Sequence, residues 1–140
     1  MNVCSMCDQV GEKRNMSALE QQADTLRLID QMLLDLGIPD NLRGFDYLRT
    51  AIEVCLQEPE AIHNMTTFLY PAVARCYGTQ PHRVERTMRH AIQCGWTRCD
   101  LTMQEKYFGG KVDPNRCKPK NSEFIARATN IIRWRQPDIS

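Results

Sequence analysis

From Ala18 onward, apolar residues return with a period near 3.6, the spacing that puts them on one side of a helix. Leu26, Ile29, Leu33 and Leu36 share a face, Gly37 ends that helix, and Pro39 follows. A second stripe of Phe45, Leu48, Ile52, Cys55 and Leu56 predicts a helix from Asn41 or Arg43 to Gln57. Pro59 suits the first turn of a short third helix, Glu60 to Asn64. A fourth helix spans Thr66 to Tyr77, with a break or restart near Tyr70 because Pro71 lies inside it and has no N–H to donate. Gly78 stops it, and Thr79-Gln80-Pro81 forms a turn into a fifth helix that runs to Thr97. A short helix, Thr102 to Tyr107, ends at Gly109-Gly110. After a basic loop, Lys111 to Lys120, Asn121 or Ser122 caps a last helix to about Arg135. Residues 1–18 show no period and read as a flexible leader. The pattern contains no strand, repeat or low-complexity tract. The expected fold is therefore all-α: a six-helix bundle containing a helix-turn-helix, with residues 19–140 as one domain.

The stretch AVARCYGTQPHRVERTMRHAI has the spacing of a helix-turn-helix. Ala74 is small enough for two helices to cross closely, Gly78 tolerates the backbone of a tight turn, and Val84 anchors the second helix on the first. On that second helix Val84, Met88, Ala91, Ile92 and Gly95 fall together at about 100° per residue. His82, Arg86, Arg89 and Gln93 fall opposite, with Arg83, Glu85 and His90 at the margins. One face is thus apolar and the other is an array of donors with one acceptor. Arginine bonds guanine O6 and N7 in the major groove, and a glutamate accepts from cytosine N4. A bland alternative for the same face is a solvated surface with i,i+4 ion pairs such as Glu85 with Arg89.

Charge reinforces the polyanion reading. The net charge is only +1, yet residues 1–80 sum to −5 and residues 81–140 to +6. Lys111, Arg116, Lys118 and Lys120 lead into the helix start Asn121-Ser122-Glu123, a natural clamp for phosphate. The 140 residues suffice for one core, and 42% apolar with 25% charged residues is ordinary for a globular protein. No apolar run approaches the ~20 residues that span a bilayer, and Met1 to Arg14 holds no apolar signal stretch, so a cytoplasmic protein without a membrane partner is expected. The seven cysteines are odd in number and scattered. Cys55, Cys76 and Cys94 are expected to pack as small hydrophobes. Cys4 and Cys7 form a CxxC pair, but no second pair completes a zinc site, so neither metal nor cofactor is expected. An enzyme is not expected either: His82 and His90 lie on the solvent face, which Cys94 does not share, and no nucleophile–base set including His63 is visible. A helical domain that binds a protein regulator instead of DNA is the alternative reading.

Four segments carry a family resemblance: LGIPDNLRGFDYLRTAI (Leu36–Ile52), LYPAVARCYGT (Leu69–Thr79), HRVERTMRHAI (His82–Ile92) and KPKNSEFIA (Lys118–Ala126). Together they resemble the DNA-binding effector domain of the stage-zero sporulation response regulators. The resemblance covers about Leu26 to Trp134, and RVER followed by RHAI and then NSEFIA is specific to it. It implies a six-helix domain that binds short DNA boxes, often as tandem head-to-tail copies, and activates or represses transcription. It implies base-reading roles for Arg83, Glu85, Arg86, Arg89 and His90, beside which His82 shares the same outer face. Lys118, Lys120, Asn121 and Ser122 match its backbone-contacting region. The partners implied are double-stranded DNA, a second copy on DNA, and RNA polymerase. Two departures stand out. The stretch ahead of Leu26 has no room for a receiver domain, which fits either a free-standing effector domain or a fragment of a longer regulator, so phosphorelay control in cis is not claimed. The turn Gln80-Pro81-His82 and the loop Lys106–Arg116 have their own sequence.

Overall fold

The computed structural model describes residues 12–109 and 118–135. These residues form six α-helices: α1 (Glu12–Asp35), α2 (Arg43–Gln57), α3 (Tyr70–Tyr77), α4 (Pro81–Arg98), α5 (Leu101–Phe108) and α6 (Asn121–Arg135). A 3-10 turn, Pro59–His63, and a wider π-type turn, Met65–Leu69, connect α2 to α3. No strand occurs among the described residues, so the all-α expectation holds.

The boundaries show which local signals govern. Pro71 sits in the first turn of α3, where its missing N–H costs nothing, and the preceding segment winds differently, with Leu69 N–H bonding Asn64 O at 3.0 Å. The expected break at Tyr70 is there. Asp100 caps α5 by accepting from Met103 N–H at 2.9 Å. Two boundaries differ from expectation. Helix α1 starts at Glu12, ahead of Ala18, because Glu, Lys, Arg and Met favour helix intrinsically even where no apolar stripe marks it. Residues 1–11, with Cys4 and Cys7, lie outside the described residues, as do Lys111, Arg116 and Cys117. Helix α6 is capped neither by Asn121 nor by Ser122. Lys120 holds the cap position: its carbonyl accepts from Phe124 N–H and its own N–H donates to Glu123 Oε1, both at 2.9 Å.

The core lies where α1, α2, α4 and α6 meet. Ile29, Leu33, Leu36, Leu48, Ile52, Val84, Met88, Ile92, Phe124, Ile125 and Ile132 are at most 1% exposed. Burial of each such side chain contributes about 1.5–3 kcal/mol. Leu26 and Leu56, expected in the stripes, are only half-buried. Of the helical cysteines, Cys55 joins the core, Cys94 is half-buried and Cys76 is exposed. Helix α3 buries Val73 and Ala74, and Cys76 lies about 200° round from Ala74, so it faces outward. Two bonds at Tyr107 help to fix helix α5: Tyr107 Oη donates to Asp35 Oδ2 at 2.6 Å, and Arg127 Nε donates to Tyr107 O at 3.0 Å. Burial, reinforced by that bond to Asp35, pushes the Tyr107 hydroxyl up to about 12.

Candidate nucleic-acid interface

Helices α3 and α4 make the predicted bend. Gly78 ends α3 in the left-handed region at φ +63°, ψ +40°, and nothing stands within 4 Å of where a Cβ would be. The glycine is therefore demanded by backbone conformation, not by crowding. The N–H groups of Gly78 and Thr79 both bond Ala74 O. Ala74 and Val84 are buried at the crossing, as their spacing predicts. Helix α3 is braced from the other side by α2. The Tyr77 ring lies 5.0 Å from that of Tyr47, and Tyr77 Oη donates to Asp46 O at 3.3 Å and shares a 2.8 Å bond with Thr50 Oγ1.

With α4 seated on Val84, Met88, Ala91, Ile92 and Gly95, its other side faces water. His82, Arg83, Arg86, Arg89, His90 and Gln93 are all exposed, and Glu85 is half-buried at the edge. Arg89 Nη1 approaches Glu85 Oε2 at 3.6 Å, the i,i+4 pair named above. Such a pair contributes only ~0.3–0.5 kcal/mol, little enough to be exchanged for another anion. Arg83 and Arg86 make no ion pair among the described residues. His90 and Cys94 differ from expectation: one turn apart, they do share a margin, with Sγ 3.5 Å from Nε2.

The start of α6 lies against one flank of α4. Asn121 Nδ2 donates to Glu85 O at 3.0 Å and to Tyr70 Oη at 3.1 Å. Burial raises the Tyr70 hydroxyl above its ordinary value, partly offset by the bond from Asn121. The Asn121 side chain is buried and joins α3, α4 and α6. Lys120 is exposed, Lys118 and Ser122 are half-buried, and all three stand beside it at the helix start.

Sequence reasoning missed the opposite flank. There an open cleft of about 920 Å³ runs between the outer face of α4, the Gly78–Thr79 turn and the start of α2. Its walls include Arg43, His82, Arg83, Arg86 and His90, with Tyr77 beside them, and no acidic side chain among the described residues. Arg43 is nearly 40 residues from α4 in the chain, so no periodicity connects the two.

No helix among the described residues is long and apolar enough to cross a membrane. The sequence matches the family described as Sporulation initiation factor Spo0A C terminal over residues 29–132. That match spans most of the chain, and the chain belongs to this family. The family is a DNA-binding effector domain of a sporulation regulator and not an enzyme, so the function of this chain is DNA-binding regulation.

Proposed function

We propose that this family member is a sequence-specific transcription regulator that inserts α4 into the major groove of duplex DNA. Arg86, at the middle of the exposed face, reads a guanine through O6 and N7. Arg83, Glu85, Arg89, His90 and His82 add further base or phosphate contacts. Lys118, Lys120 and Ser122, at the start of α6, hold phosphates and set the register, while Asn121 keeps that helix start against α4. Family likeness adds tandem head-to-tail binding to neighbouring boxes, contact with RNA polymerase and a cytoplasmic setting.

The supporting observation is the division of α4 into a side sealed in the core and an exposed side whose arginines, apart from Arg89, lack carboxylate partners among the described residues. Such a face suits base edges and phosphates better than an apolar groove. Arg86→Ala tests the reading by fluorescence anisotropy on a duplex that the wild-type protein selects from a random pool. It should weaken binding by about 1–3 kcal/mol and relax preference at one base pair, with unchanged thermal stability. Equal binding of selected and random DNA by wild type and variant would sink the assignment.

A further inference from the structure

The cleft beside the Gly78 turn bears on how DNA is held, an argument that rests on the reading of α4 as a groove-inserting helix. Arg43 opens α2 and is exposed, and it makes no hydrogen bond or ion pair among the described residues. It lines one cleft with Arg83 and Arg86, which are equally unpaired, and with two histidines, and among the described residues no carboxylate lines that cleft. Three guanidinium groups gathered without a counter-charge repel one another. A bound polyanion removes that repulsion.

What brings Arg43 there is Gly44. A Cβ at Gly44 would lie 2.4 Å from Ala91 Cβ and 2.8 Å from Thr87 O. Only a residue without a side chain lets the start of α2 rest directly on α4, and this contact sets the flank on which Arg43 stands. That flank is the Thr87–Ala91 side. The start of α6, with Lys118 and Lys120, is held on the Glu85 side by the bond from Asn121. At about 100° per residue, Thr87 and Glu85 are some 160–200° apart and border the exposed face of α4 from its two edges. A helix lying in the major groove has one phosphate backbone on each side.

We infer that Arg43 binds a backbone phosphate of one DNA strand while Lys118 and Lys120 bind phosphates of the other, so that α4 is held in the groove from both edges.

The test compares wild type, Arg43→Ala, Lys120→Ala and Arg86→Ala on the selected duplex. Arg43 is exposed and unpaired, so Arg43→Ala should melt like wild type. Between 50 and 200 mM salt its logarithmic salt slope should be shallower by about 0.9, a loss of affinity roughly 3.5-fold smaller than that of wild type. Neutral methylphosphonate linkages, placed one at a time, then locate the contact. Wild type should weaken at positions on both strands. Arg43→Ala should become insensitive at one linkage on one strand, and Lys120→Ala at a linkage on the opposite strand. An unchanged slope and profile for Arg43→Ala, or one strand answering for both variants, overturns the inference. If Arg86→Ala loses base preference in that same experiment, the reading of α4 stands without it. A wild-type protein indifferent to DNA sequence overturns both.

Discussion

The side of α1 and α2 away from the cleft and the outer side of α4 both carry arginines, but they treat the charge differently. On α1 and α2, Arg49 Nε bonds Asp30 Oδ1 at 2.7 Å and Arg27 Nη1 bonds Asp24 Oδ1 at 2.7 Å. On α4, Arg83 and Arg86 have no acidic partner among the described residues, and Arg89 has only the longer approach to Glu85. Acidic residues are plentiful overall, almost matching the basic ones, so their absence from the α4 cleft among the described residues is a matter of placement. The paired arginines use their charge within the bundle, Arg49 by linking α2 to α1. The unpaired ones leave their hydrogen-bonding capacity for a molecule outside it.

Three substitutions probe that contrast. Met88→Ala, on the inner side of α4, should show the largest effect, about 2–5 kcal/mol of folding stability, because Met88 is fully buried and the bundle cannot close around the gap. Chemical denaturation measures it, and DNA affinity lost by this variant should return when the remaining folded fraction is taken into account. Asn121→Ala should cost about 1–3 kcal/mol of stability, since it removes the amide that joins Tyr70 Oη and Glu85 O. Its DNA binding should weaken evenly across sequences, with no change in base preference; a change confined to one base pair would show that Asn121 touches DNA itself. Arg49→Ala should be mildest, at most about 1 kcal/mol of stability, with no effect on DNA binding. A drop in DNA affinity there would mean that paired and unpaired arginines do the same work.

Much of this organisation was legible in the sequence because it depends on local periodicity and on two special residues. The stripe of α4 named its buried face correctly down to Gly95, and Gly78 marked a bend that only a left-handed backbone could make. Pro71 located the start of α3. What escaped was set by contacts between distant segments. Asn121 sits at a helix start, as sequence suggested, but the carbonyl its side chain bonds belongs to Glu85, 36 residues away. Arg43 looked like any helix-opening cation until Gly44 brought α2 onto Thr87 and Ala91. The early start of α1 was missed for another reason: helix propensity without an apolar stripe leaves no period to find.

Guanine N7 is exposed in the major groove and becomes methylated by dimethyl sulfate, so methylation interference on the selected duplex locates the groove that α4 occupies. Wild-type binding should be blocked by methylation of at least one guanine, and Arg86→Ala should be indifferent to that same methyl group. Wild-type binding that tolerates N7 methylation at every guanine of the box would place the arginine face of α4 somewhere other than the major groove.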